Sequence, residues 1–83
     1  MKVHLKYFAS IRETLGTGGE TIDTPATTLA ALRDELIARS DDFADALARG
    51  KSVRMALNQT LSDESALLVE GAEVALFPPV TGG

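Results

Sequence analysis

Apolar and polar residues alternate from Lys2 to Phe8. Val3, Leu5 and Tyr7 fall on one side, and Lys2, His4, Lys6 and Phe8 on the other. A period of two predicts a half-buried strand. Phe8 stands out, because it is an aromatic on the otherwise polar side. Ile11 and Leu15, four apart, predict a short helical turn over 9–15, which Gly16, Gly18 and Gly19 then break. Glu20 to Thr24 reads as a short strand, with Thr21 and Asp23 opposite Ile22 and Pro25 ending it. The spacing changes over 28–39. There Leu29, Leu32, Leu36 and Ile37 form the stripe of an amphipathic helix, with Thr28 as its cap. Ser40 interrupts this helix and caps a second, shorter one. Asp41 and Asp42 suit its electropositive N-terminus, Phe43 and Leu47 are its apolar pair, and Gly50 is its expected stop.

Alternation returns over 51–57, with Val53, Met55 and Leu57 on one face. Asn58-Gln59 predicts a tight turn before Thr60 and Leu61. After a polar loop at 62–65, Leu67, Leu68 and Val69 are expected to form a short apolar anchor. Glu70-Gly71 is a turn. The final strand spans 73–77, with Val74 and Leu76 alternating with Ala75 and Phe77. Pro78-Pro79 stops it, because proline cannot donate to a ladder. The order is strand, strand, helix, strand, short strand, strand. It implies an α+β domain in which a mixed sheet packs on one main helix, the β-grasp or ubiquitin-like arrangement. The domain is expected to occupy 1–79, with 80–83 as a flexible C-terminal tail.

Composition narrows what such a domain can do. The chain has 83 residues, enough for one modest core but not for a deep enclosed site as well. It has no Cys and one His, which excludes a cysteine nucleophile, a disulfide framework and an ordinary zinc site. The net charge of -4 argues against a phosphate-backbone binder, so no nucleic-acid partner is expected. No apolar run reaches the roughly 20 residues of a membrane span, and the start of the chain has no apolar signal region. No membrane partner is expected, and a cytoplasmic location is the default.

Most candidate sites have an ordinary explanation. Gly16-Thr17-Gly18-Gly19 has the glycines of a phosphate cradle but lacks its lysine, so it reads as a turn. His4 has no partner visible in sequence and reads as solvated. Asp41, Asp42 and Asp45 suit a helix cap better than a carboxylate cluster. Glu70 and Glu73 flank a turn and read as solvated. Two features survive. If Val74, Leu76, Val3, Leu5 and Tyr7 face the core, Phe77 and Phe8 face outward. In a β-grasp the first and last strands are parallel neighbours, so the two rings share one exposed face, which Leu61 can join. An exposed apolar cluster marks a partner surface.

The second feature is the end of the chain, Phe77-Pro78-Pro79-Val80-Thr81-Gly82-Gly83. Residues 80–83 reach roughly 13–14 Å when extended. Gly82 and Gly83 have no side chains, so they can thread a narrow channel and let a partner approach the terminal carboxylate. A carboxylate is a poor electrophile until activated, for example as an acyl-adenylate. Sulfide then gives a thiocarboxylate, and an amine gives an amide.

These residues carry a resemblance. Phe77 to Gly83 resembles the C-terminal signature of the molybdopterin synthase small subunits, the MoaD-like sulfur carriers of the ubiquitin-like family. Tyr7-Phe8-Ala9-Ser10-Ile11-Arg12-Glu13 resembles the family's first strand and turn. Ala56-Leu57-Asn58-Gln59 resembles its mid-chain turn, and Glu70 to Leu76 its last strand. The departures are Ala72, where an acidic residue is common, and Leu76, where Phe is common.

The resemblance implies a β-grasp whose Gly83 carboxylate is adenylated by an E1-like activating enzyme using ATP. A sulfur donor system then converts it to a thiocarboxylate. The tail enters the large subunit of molybdopterin synthase, and sulfur passes to cyclic pyranopterin monophosphate in molybdenum cofactor biosynthesis. The assembly implied is a heterotetramer, in which the chain is not catalytic alone. It implies that this chain binds no cofactor, the pterin being held mainly by the large subunit. It also implies partner contacts from Phe8, Leu61, Phe77, Pro78, Pro79, Val80 and Thr81. Two other readings share the Gly-Gly end: a thiamine-type sulfur carrier, and a ubiquitin-like modifier joined to lysines.

Overall fold

The structure, a computed structural model, describes residues 1–78. The expectations for Pro79, Val80, Thr81, Gly82 and Gly83, and for a boundary at residue 79, lie outside the described residues. The elements in order are β1 (Lys2–Tyr7), α1 (Ala9–Leu15), β2 (Gly19–Asp23), α2 (Leu29–Ile37), α3 (Asp41–Leu47), β3 (Arg54–Leu57), β4 (Thr60–Leu61) and β5 (Ala72–Phe77). The strands form one mixed sheet in the order β2-β1-β5-β3-β4. This is the expected α+β arrangement, with β1 and β5 as central parallel neighbours.

The core lies between one face of this sheet and the helices. Val3, Leu5 and Tyr7 of β1 and Ala72, Val74 and Leu76 of β5 are buried in strict alternation. Leu29, Leu32 and Leu36 of α2 meet them, as the helical stripe predicts. The Thr28 side chain accepts a hydrogen bond from the Ala31 N–H, and Ser40 Oγ accepts one from the Phe43 N–H, so both expected caps form. Tyr7 carries its polar end into this core and donates to Glu20 Oε2 at 2.8 Å. Burial first, and then that hydrogen bond, raise its pKa far above the ordinary phenol value. Its ring meets Phe43 edge to face, with centroids 6.0 Å apart.

Two turns depend on backbone freedom. Gly16 adopts φ 74 and closes α1 by donating its N–H to the Arg12 carbonyl. Gly19 lies so close to β1 that a Cβ there would collide with the Leu5 carbonyl oxygen. The four-residue run that superficially resembles a phosphate cradle is therefore a helix stop followed by a strand contact. At the other hairpin, Asn58 and Gln59 adopt φ 50 and 69, the left-handed pair of a tight turn. Asn58 Oδ1 also accepts the Glu73 N–H at 2.9 Å, which ties this turn to β5.

Several boundaries differ from expectation. α2 ends at Ile37 rather than 39, β2 starts at Gly19 rather than Glu20, and β3 starts only at Arg54 rather than 51. Gly50 is not the stop of α3. The helix ends at Leu47, its cap Ala48 turns out at φ -49, ψ 142, and Gly50 is not left-handed. The reason is Arg33, a buried residue of α2 that the apolar stripe does not announce. Its Nε donates to the Leu47 carbonyl at 2.9 Å. Its Nη2 donates to the carbonyls of Ala48 and Lys51 at 2.8 and 3.0 Å. Its Nη1 meets Glu64 Oε2 at 2.8 Å. One guanidinium thus satisfies the carbonyls at the end of α3 that a glycine cap would otherwise serve. Burial alone would raise the Glu64 pKa. Hydrogen bonds from Arg49 and Arg33, together with their charges, outweigh it and hold the carboxyl below its ordinary value.

The Leu67–Val69 anchor is also corrected. Leu68 alone is buried, while Leu67 and Val69 are exposed. Leu67 forms a bridge with Thr28, and the Leu68 N–H donates to the Thr27 carbonyl. Extended pairing makes neighbours point to opposite sides, so three successive residues cannot all face the core.

Arg33→Ala leaves three carbonyls and Glu64 short of a donor. It is expected to cost about 3 kcal/mol of stability, read as a lower urea midpoint by circular dichroism. A loss below about 0.5 kcal/mol, ordinary for a surface change, would mean that Arg33 does not secure the end of α3.

Candidate functional site

The candidate site is built at one end of the β1–β5 pair. Phe8 follows β1 in extended geometry, at φ -125 and ψ 154, so it continues the alternation and turns away from the core. Ala9 then adopts φ 51 and reverses the chain into α1. This is a left-handed position for a non-glycine residue, tolerated here by the smallest of the L side chains. The Phe8 N–H donates to the Leu76 carbonyl at 3.1 Å, which locks the position of Phe8 to the last strand.

On β5, Leu76 is buried and pairs with Tyr7, so Phe77 faces outward. The Phe8 and Phe77 rings meet edge to face, with centroids 6.4 Å apart and an 80° interplanar angle. The geometry brings together the two rings singled out from the alternation. Phe8 is 45% exposed, which is not the environment of a core ring.

Leu61 reaches the same face by register. Ala56 pairs with Leu61 on one side and with Ala75 on the other, and Ala75 pairs with Lys6. Lys6, Ala75, Ala56 and Leu61 therefore form one outward row across the sheet. Leu61 is 60% exposed. The patch is thus Phe8 and Phe77, then Ala75 and Ala56 as a flat floor, then Leu61. Lys6 closes it on one side and pairs with Glu73 at 3.3 Å, so Glu73 is an ion-pair partner rather than a free carboxylate.

Pro78, the last described residue, lines a groove of about 350 Å³ together with Ser10, Thr14, Lys51, Ser52 and Val53. No group of His, Cys, Asp or Glu could hold a metal ion among the described residues. His4 is not partnerless as expected, since its Nδ1 lies 2.8 Å from Thr21 Oγ1 on the exposed sheet face. Glu70 accepts the Lys2 N–H rather than standing free. No helix of the described residues is long and apolar enough to cross a membrane.

Sequence reasoning found Phe8, Phe77 and Leu61, but not Ala56 and Ala75. Alanine gives no apolar signal by itself, and its place in the patch follows only from the strand register. Comparison with known proteins agrees with this architecture. The profile of the ThiS family matches residues 5–83. The molybdopterin synthase sulfur carrier subunit of Escherichia coli is 43% identical over 81 residues, covering 98% of this chain and 99% of that protein. Among solved structures, the protein–protein complex of subunits 1 and 2 of the molybdopterin-converting factor from Helicobacter pylori contains a similar chain. It is 28% identical, with a TM-score of 0.70 and full coverage of both chains. SAMP1 of Haloferax volcanii has the same fold, with 23% identity, a TM-score of 0.79 and full coverage of both chains.

Phe8→Ala removes an exposed ring and one edge-to-face contact, so it is expected to cost about 1 kcal/mol or less. Leu76→Ala, in the core, is expected to cost about 2–5 kcal/mol. Urea midpoints compare the two, and an equal loss would place the Phe8 ring in the core instead.

Proposed function

The chain belongs to the ThiS family, and from that membership we propose that it is the sulfur carrier subunit of a molybdopterin synthase. The observation that carries this reading is the junction between face and tail. The strand that supplies Phe77 to an exposed apolar patch runs directly into Pro78-Pro79-Val80-Thr81-Gly82-Gly83. Docking the patch delivers the end of the chain to one fixed place on a partner.

The reactive group we assign is the terminal carboxylate of Gly83, as the likeness to the sulfur carrier subunits implies. An E1-like activating enzyme attaches the adenylyl group of ATP to that carboxylate and releases pyrophosphate. Sulfide supplied by a donor system attacks the acyl-adenylate, displaces AMP and leaves a thiocarboxylate. The large synthase subunit then takes the tail, holds the pterin and moves the protons, while the thiocarboxylate sulfur passes to cyclic pyranopterin monophosphate. This chain contributes position. The patch binds, Gly82 lets the tail thread a narrow channel, and the domain binds no cofactor of its own.

The full-length identity to the Escherichia coli sulfur carrier supports this assignment. The Helicobacter pylori complex of two converting-factor subunits supports a large-subunit partner. Phe8, Leu61 and Phe77 are the residues we assign to that contact, with Pro78 to Thr81 along the entry path.

Deleting Gly83 is expected to abolish sulfur transfer in a synthase reconstituted with the large subunit, the activating enzyme and a sulfur source. The unfolding midpoint should stay unchanged, because the core ends at Leu76. Transfer that survived the deletion would show that the terminal carboxylate is not the reactive group.

A further inference from the structure

The outward face of the sheet has a charge that the apolar patch does not explain. The chain as a whole is acidic, at -4, yet at the Phe8–Phe77 end the face carries Lys6 and Arg54. Lys6 is neutralised by Glu73. Arg54 is exposed and makes no ion pair among the described residues. It lies directly opposite Phe77 in the β3–β5 register, and its neighbour Met55 is buried, so Arg54 shares the outward side with Phe77. Opposed residues of an antiparallel pair hold their Cβ atoms about 5 Å apart. The Arg54 side chain therefore starts beside Phe77, at the edge of the aromatic pair.

Among the described residues no carboxylate forms an ion pair with Arg54, not even Asp63, which the β3–β4 register carries to the position opposite Arg54. The outward acid of β5 is Glu73, four residues or roughly 13 Å further along the strand, and Lys6 already occupies it. Arg12 and Lys51 lie off the sheet, on α1 and in the segment before β3. Among the described residues Arg54 is thus an unpaired planar cation on the edge of an apolar surface. A covering protein would dehydrate it, which is costly unless that protein supplies a counter-charge. Arginine at such an edge matches a carboxylate with two parallel hydrogen bonds.

We propose that Arg54 is a specificity residue of this face, pairing with an Asp or Glu side chain of the protein that covers the Phe8–Phe77 patch. This rests on the partner-docking reading above and adds the chemistry of the matching surface: apolar at its centre, with a carboxylate set opposite β3. The charge steers association, while the rings hold the complex together.

The test is binding of the chain to its cognate large synthase subunit, followed kinetically at low and at high salt. R54E is expected to weaken binding about tenfold or more at low salt, mainly through slower association, with the deficit shrinking as salt rises. R54Q is expected to show a smaller loss of the same kind. R54K is expected to keep most of the association rate and lose affinity through faster dissociation, because an ammonium is a point charge. Thermal melts confirm that each variant is folded. R54E and R54Q binding within about twofold of the unmodified chain at both salts would overturn the proposal. Phe77→Ala separates the two levels. If it loses binding while R54E does not, only the role of Arg54 falls. If neither variant loses binding, the docking-face reading falls as well.

Discussion

The parallel pairing of the first and last strands is the constraint on which the rest of the structure depends. Parallel neighbours cannot be joined by a tight turn, so the chain between Tyr7 and Ala72 must make a crossover as well as adding β2, β3 and β4 to the sheet. The helices α1, α2 and α3 occupy that crossover and cover one face. The other face stays open. Register does the remaining work: Tyr7 opposite Leu76 buries both, and the next residue on each strand is a phenylalanine facing outward. The same pairing that closes the core therefore builds the patch. Fold and site are one consequence of one ladder.

Arg33 shows a different kind of constraint. A small core leaves loop carbonyls near the ends of short helices with few partners, and α3 is only seven residues long. One buried cation gathers the carbonyls of Leu47, Ala48 and Lys51 and reaches Glu64, which Arg49 also holds. The loop before β3 is fixed from within rather than by its own turn chemistry. That loop sets where β3 begins, and so places Arg54 across from Phe77.

Much of this was legible in the residues. The alternation in 2–8 and 73–77 gave both central strands and their outward rings, and the leucine stripe gave α2 with its Thr28 cap. What stayed hidden depends on contacts far apart in sequence. A glycine three residues past α3 looked like its stop because nothing local shows that Arg33 serves those carbonyls. Leu67 and Val69 looked like core because an apolar run gives no sign of which members turn outward; the bridge from Leu67 to Thr28 decides it. Ala56 and Ala75 join the patch through register alone. The proposed tail chemistry lies outside the described residues and rests on the sequence alone: a terminal carboxylate on two residues without side chains.

In the proposed function the domain positions, and the terminal carboxylate of Gly83 carries the chemistry. The most direct test is the intact mass of the native protein from cells making the cofactor, taken without reduction or alkylation. An oxygen-to-sulfur exchange, localised to Gly83 by fragmentation, is the predicted result. Finding only the unmodified chain together with its conjugates to lysines of other proteins would contradict the carrier role.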